Sequence, residues 1–233
     1  MKSSKLTTLL ILIASIAFFA SCDNDNDSDD DYPNYPPIEN PGNGNEGIGE
    51  PTATTDPGVV INGIRWATRN VNAPGTFANN PEDAGMFFQW NRNRGWSTTN
   101  PLRHWANNDW VAGGWDNSTP TGVWWYAAND PCPLGWRVPS SVELTILRSQ
   151  PNTWTQRNGV NGKVFGSGNN TLFLPAAGWR VANDVHEVGS GRYWSNMSGH
   201  TVGRAWGLHF YSGMSVHDRS HPASGFSVRC VAE

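Results

Sequence analysis

Two short apolar runs separated by two residues form the first strongly patterned segment of the chain. Val59-Val60-Ile61 precede Asn62-Gly63, and Ile64-Arg65-Trp66 follow them. A two-residue Asn-Gly turn is a strong short-range signal for a β-hairpin, because a type I′ turn needs a positive φ at both central positions. The pattern therefore predicts a β-hairpin over residues 59–66.

One later segment has the pattern of a helix. Ser140 and Glu143 have the spacing of a capping box, and apolar residues then repeat on one face as far as Leu147. Pro151 stands shortly after the last of these residues. We expect a helix that begins after Ser140 and ends near Ser149.

Strict alternation of apolar and polar residues marks two segments near the C-terminus. The alternating positions are Trp206, Leu208 and Phe210, then Phe226, Val228 and Cys230. With 25 glycines in the chain and few long helical periods, the remainder is predicted to be rich in loops and short strands.

The N-terminus has the features of a signal peptide. Lys2 and Lys5 precede an uncharged run over residues 6–21, which is shorter than the roughly 20 residues that span a bilayer. The run ends Phe19-Ala20-Ser21-Cys22, which resembles a bacterial lipobox. Residues 1–21 are thus predicted to be removed, and lipidated Cys22 to anchor the protein to a membrane. The alternative is ordinary secretion, with Cys22 discarded or left free.

An acidic segment follows the predicted lipidation site. Residues 23–57 contain ten Asp or Glu and no Lys or Arg, with many Asn, Pro and Gly. Such a composition buries too little apolar surface to offset its ordering entropy, so we expect residues 22–57 to be a disordered tether. Ser28-Asp29-Asp30-Asp31 also looks like the acidic signals that export Bacteroidetes lipoproteins. This predicts an outer-membrane lipoprotein at the cell surface, unless the acids only keep the linker soluble and extended.

The remaining residues, 58–233, are enough for one domain. Of the 16 basic and 20 acidic residues in the chain, two lysines precede Cys22 and ten acids lie in the tether, which leaves 14 basic and 10 acidic. The domain therefore carries a net charge of about +4 and contains no basic run, which does not indicate a nucleic-acid partner.

Several segments resemble the landmarks of one bacterial family. They are Cys132-Pro133-Leu134-Gly135-Trp136-Arg137-Val138-Pro139, residues 173–180, Arg192-Tyr193-Trp194-Ser195 and Ser227-Val228-Arg229-Cys230. Together they resemble the Fibrobacter succinogenes major paralogous domain, a family of secreted and lipid-anchored domains. The resemblance implies an α+β, C-type lectin-like domain over residues 58–233, loop-rich, with short antiparallel strands, at least one helix and one disulfide.

Cys132 and Cys230 are the cysteines that remain after Cys22. In a compartment that permits disulfides, pairing of these two is the default expectation, and the long-range disulfide of lectin-like domains has the same placement. The alternative is two free buried thiols.

Tryptophan is concentrated between Trp90 and Trp125, which contains seven of the 13 tryptophans interleaved with Arg, Asn and Asp. We expect a long structured loop in which indole rings stack on sugars while amides and carboxylates bind hydroxyls. The candidate ligand-binding residues are Trp96, Trp105, Asn107, Asn108, Asp109, Trp110, Trp115 and Asp116. The alternative is that these rings pack on one another and on arginines to hold the loop.

The sequence favours a non-catalytic binding or adhesion module whose partner is a glycan or an envelope protein. It predicts no catalytic residue, metal or cofactor. A second interpretation is a structural or accessory subunit of an envelope or fimbrial assembly. A glycan-active enzyme is disfavoured, because Glu82 and Asp83 are adjacent and would point to opposite faces of a strand rather than act as a pair.

Overall fold

A computed structural model describes residues 53–199 and 203–233. The predicted signal peptide, Cys22 and residues 22–52 of the tether lie outside these described residues. Within the described ranges, no helix combines the length and the apolar composition that crossing a membrane requires.

Short strands build most of the described fold. In chain order they are β1 (Val59–Ile61), β2 (Ile64–Trp66), β3 (Phe87–Gln89), β4 (Gly95–Trp96), β5 (Arg103–Ala106), β6 (Asp109–Ala112), β7 (Trp136–Arg137), β8 (Asn152–Arg157), β9 (Val160–Ser167), β10 (Asn170–Pro175), β11 (Trp179–Val181), β12 (Asp184–His186), β13 (Gly191–Ser198), β14 (Ala205–Tyr211), β15 (Met214–Ser220), β16 (Gly225–Phe226) and β17 (Val231–Ala232). The helix α1 (Ser141–Ser149) and a 3-10 turn (Ala127–Asn129) complete the described elements.

These strands form four sheets, and every pairing between them is antiparallel. The largest has the order β12-β11-β16-β3-β4-β5-β6, and a second has the order β1-β2-β17-β7. The other two are the three-stranded sheets β10-β9-β8 and β13-β14-β15. Helix α1 packs against the last of these and against β9.

The described domain is therefore mostly β, and the predicted α+β, C-type lectin-like class is wrong. The single α-helix among the described residues has only nine residues. Segments with little aliphatic content, which were predicted to be loops, instead form strands that pair as hairpins. Asn107-Asn108 and Asn158-Gly159 supply two of the turns, each with positive φ at both positions. Such turns let polar and glycine-rich runs fold back as strands where composition alone indicated loops.

Two local predictions are confirmed. The first hairpin pairs Ile61 with Ile64 across Asn62-Gly63, whose φ angles are 49° and 81°. Helix α1 begins after Ser140 and ends at Ser149. The Ser140 hydroxyl accepts a hydrogen bond from the Glu143 amide at 3.2 Å, and the Glu143 carboxylate accepts one from the Ser140 amide.

Removing this cap has a measurable cost. We expect Ser140→Ala to lower the free energy of unfolding by about 1 kcal/mol, because an amide of the first helical turn loses its acceptor. Urea unfolding followed by circular dichroism measures the change. Ser212→Ala, at an exposed turn position, is the control and should leave the midpoint unchanged.

The predicted disulfide is confirmed. Cys132 and Cys230 are bonded, with their Cα atoms 6.1 Å apart and a sequence separation of 98. The Asp130 carboxylate holds the turn in front of α1 by accepting hydrogen bonds from the amides of Cys132 and Val138 at 2.8 and 3.0 Å. The bond therefore ties the turn in front of α1 to the residue that directly precedes the last strand, β17.

Two groups of buried side chains form the interior. The first core contains Ala67, Val71, Phe77, Met86, Phe88, Trp90, Trp125, Val138, Trp194, Ala205, Phe226, Val228 and Cys230. The second core contains Ile61, Trp66, Leu144, Leu147, Phe165, Leu172, Leu174, Ala176, Tyr193, Leu208, Phe210 and Val231. In the first core the Trp194 ring stacks on Phe226 with centroids 4.0 Å apart, and its Nε1 donates to the Phe88 carbonyl at 2.7 Å. This stacking and this hydrogen bond hold β3 against the first core.

One residue assigned to the tether belongs to the folded domain. Asp56 is buried, and its carboxylate accepts hydrogen bonds from the amides of Gly58 and Thr68, both at 2.8 Å. It also forms an ion pair with Arg69 at 3.0 Å. Ordered structure thus begins before residue 58, because this acid has specific partners that composition does not reveal.

Candidate functional site

The tryptophan-rich segment is not the long loop that its composition predicted. It contributes β4, β5 and β6 to the seven-stranded sheet. Trp96 in β4 is fully buried, and its ring lies 4.7 Å from that of the half-buried Trp115. Because neither face of the enclosed Trp96 ring is open for stacking on a sugar, and Trp96 lines no described cleft, this residue leaves the set of candidate ligand contacts.

Five further candidates form the hairpin of β5 and β6. Trp105 and Trp110 are directly opposite each other, with ring centroids 5.5 Å apart, and both pack against the first core. Asn107 and Asn108 make the exposed turn between them, and the Asp109 carboxylate accepts a hydrogen bond from the Trp110 amide. For these two tryptophans the geometry favours the alternative in which rings pack on one another.

Asp116, the last sequence candidate, lies in a polar cleft beside β3. The cleft has a volume of about 210 Å³. Its lining residues are Gln89, Asn91, Arg92, Asn93, Arg94, Asp116 and Asn129. It therefore presents amides, guanidinium groups and one carboxylate, drawn from three separated parts of the chain.

An ion pair forms one wall of this cleft. The Arg92 guanidinium lies 2.8 Å from the Asp116 carboxylate and also donates to the Ser118 hydroxyl at 2.7 Å. The pKa of Asp116 is lowered below its ordinary value. The largest cause is hydrogen bonding from Ser118, and the positive charges of Arg92 and Arg94 add to it. The Asp116 carboxylate is consequently ionised at neutral pH.

The buried amide of Asn91 joins this wall to the neighbouring segment. Asn91 directly follows Trp90 and has a φ of 56°, a conformation that Asn tolerates better than most residues. Its Oδ1 accepts hydrogen bonds from the Tyr126 amide at 2.8 Å and from Asn129 Nδ2 at 3.2 Å. The side chain thus holds residues 126–129 along the edge of the cleft.

Gln89 contributes a second buried amide. Its Nε2 donates to the carbonyls of Asp116 and Ala223, which fixes the orientation of the amide group. Its Oε1 is buried and accepts no hydrogen bond from any described protein group. A buried acceptor of this kind is costly unless a donor from outside the protein meets it.

Two exposed aromatic side chains lie on residues 123–126, at the end of which Asn91 binds the Tyr126 amide. Backbone bonds from the Trp125 amide to Asn196 and from the Ser198 amide to Val123 fix this segment beside the end of β13. Since side chains of an extended chain alternate, Trp125 points inward whereas Trp124 and Tyr126 point outward. They are 47% and 50% exposed, so both rings are available for contact.

Of the residues in this cleft, the sequence pattern indicated Asp116 but none of the other lining residues, nor the two exposed rings. Gln89 carried a signal, because it is a polar residue inside the apolar run 86–90. A second signal was the alternation of side chains about the buried Trp125, which places Trp124 and Tyr126 on the opposite, exposed side. The remaining lining residues come together only through the order of the strands.

A metal centre is not indicated in the described ranges. They contain no group of three His, Cys, Asp or Glu side chains placed to hold an ion.

Comparisons with protein families, curated proteins and solved structures return no match for this chain. The resemblance to the Fibrobacter succinogenes major paralogous domain therefore stays a prediction.

Proposed function

We propose that the domain is a binding module for glycans and that the binding site is the polar cleft together with the neighbouring exposed rings of Trp124 and Tyr126, here called the aromatic rim. The observation that carries the proposal is the combination of buried, oriented amides with the exposed rings of Trp124 and Tyr126. Sugars present apolar C–H faces and hydroxyl edges to a protein. A site that offers flat rings beside hydrogen-bonding groups is complementary to both.

One short stretch of backbone connects the cleft with the two rings. The Tyr126 amide is bonded directly to Asn91 in the cleft, and Trp124 is two residues away, which is about 7 Å in an extended chain. The volume of the cleft lies below the roughly 300–1,000 Å³ of small-molecule pockets. It suits one sugar residue, while neighbouring residues of the glycan extend over the rim.

The charges in the cleft support binding rather than catalysis. Most glycoside hydrolases need two carboxyl groups, one of which has a raised pKa so that it donates a proton. Asp116 is the single carboxylate among the described residues that line the cleft, and its pKa is lowered. It holds Arg92 in place instead of acting as an acid.

The proposal includes the envelope location. Lipidated Cys22 would attach the chain to the outer membrane, and the acidic tether would hold the domain away from the surface to meet its ligand. The composition of residues 1–52 supports this part of the proposal.

Binding should depend on the two exposed rings. We expect the double variant Trp124→Ala, Tyr126→Ala to lower the affinity for a bound glycan by about 10- to 100-fold, because two stacking surfaces are removed. Array screening of the full chain in detergent identifies the glycan, and isothermal titration of that glycan measures the loss.

Tyr211→Ala is the matched control, since Tyr211 is 40% exposed and lies outside the cleft. It should bind as the unaltered protein does. A folded chain that binds no glycan would contradict the proposal. If it instead captures an envelope protein through Trp124 and Tyr126, the exposed rings are interface anchors, and the domain is a subunit of an assembly.

A further inference from the structure

Arg94 is an unpaired positive charge in the lining of the cleft. Among the described residues, no carboxylate forms an ion pair with Arg94, and no side-chain hydrogen bond holds it. Arg92 differs, because Asp116 and Ser118 hold its terminal nitrogens. One carboxylate thus faces two guanidinium groups, which leaves the described lining with a surplus of one positive charge.

Two buried atoms of the lining lack a partner as well. Gln89 Oε1 is an acceptor, because both hydrogens of its amide nitrogen already reach backbone carbonyls. Arg92 Nε is a donor with no acceptor among the described residues. A ligand in the cleft complements these two atoms when it offers a hydroxyl or amide donor together with an acceptor, and it complements Arg94 when it carries a negative charge.

A neutral sugar meets only part of this requirement. Its hydroxyls satisfy Gln89, but they leave the charge of Arg94 unneutralised. A sugar acid offers a hydroxyl and a carboxylate on one ring, and the planar guanidinium fork matches the carboxylate in shape. Its single charge also equals the surplus charge of the lining, whereas a phosphate monoester carries about two.

We infer that the cleft recognises a carboxylate-bearing sugar residue, of the uronic acid type, with its carboxylate at Arg94 and a hydroxyl at Gln89. This inference rests on the proposed function and adds the class of ligand to it. Arg94 is then the residue that distinguishes acidic from neutral glycans, and the aromatic rim contacts both classes.

The test compares ligands that differ only in charge. Oligogalacturonate and its fully methyl-esterified form share one backbone, and esterification removes the carboxylate charge. We expect the full chain in detergent to bind the acid about tenfold or more tightly than the ester in isothermal titration. Raising the salt from 0.1 M to 1 M should reduce this preference, because the screening length falls from roughly 10 Å to 3 Å.

Variants assign the preference to the cleft. Arg94→Gln should bind acid and ester equally, and Arg94→Lys should keep part of the preference because it keeps the charge. Arg103→Gln is the matched control, since Arg103 is exposed but lies outside the lining of this cleft. It should leave the preference unchanged. Both Arg94 variants should unfold at the midpoint of the unaltered chain, because this exposed side chain has no structural partner.

Other outcomes separate this inference from the proposed function. Equal binding of acid and ester, lost in the Trp124→Ala, Tyr126→Ala variant, would overturn the inference and support the glycan site. Dextran sulfate bound as tightly as oligogalacturonate would show general polyanion binding and would also overturn it. A chain that binds no glycan on the array overturns both.

Discussion

Replacing Cys132 and Cys230 together by alanine is expected to lower the free energy of unfolding by about 4 kcal/mol. The bond joins residues that are 98 positions apart, and closing a loop of that length restricts the unfolded chain by up to ~4.7 kcal/mol in the chain-entropy model. In the folded domain the bond joins the turn in front of α1 to Cys230, which directly precedes β17 and is fully buried in the first core. Urea unfolding at equilibrium measures the difference.

Reduction provides the matched control for this pair. A reducing agent should bring the unaltered protein close to the stability of the double alanine variant, and it should leave the variant unchanged. A difference below about 1 kcal/mol between the oxidised protein and the variant would contradict the prediction. Such a result would mean that the unfolded chain is already compact around these two positions.

The second large effect is expected at Asp56. Asp56→Ala should cost about 3–5 kcal/mol, because it removes the Asp56 carboxylate from its buried ion pair with Arg69. The amides of Gly58 and Thr68 lose the same acceptor. Urea unfolding of the full chain measures this loss.

Two further variants test whether the loss in Asp56→Ala comes from the ion pair. Asp56→Asn should lose less than Asp56→Ala, because the amide oxygen still accepts hydrogen bonds from the backbone. Asp184→Ala removes a carboxylate from an exposed position of β12 and should stay within about 0.5 kcal/mol of the unaltered protein. If Asp56→Ala behaves like Asp184→Ala, the start of the folded domain does not depend on this ion pair.

The difference between the predicted and observed fold class has a specific cause. Alternation of aliphatic and polar residues is the pattern that predicts strands, and residues 103–112 contain little of it. Their strand pairing rests on Trp105 opposite Trp110 and on an Asn-Asn turn with positive φ at both positions. Asn158-Gly159 has the same turn sequence type as Asn62-Gly63. The residues directly before it are polar, so the pattern did not predict the hairpin of β8 and β9.

Local signals in the sequence determined the first hairpin, both ends of α1 and the cysteine pair. Turn conformation and helix capping depend on residues only a few positions apart. The two cysteines that remain after Cys22 allow only one pairing. These features can therefore be predicted without knowing the fold. The tertiary structure alone decided that Trp96 is buried, that Trp124 and Tyr126 are exposed, and which residues line the cleft. Those properties depend on which strands are neighbours, and strand order is set by packing between segments far apart in the chain.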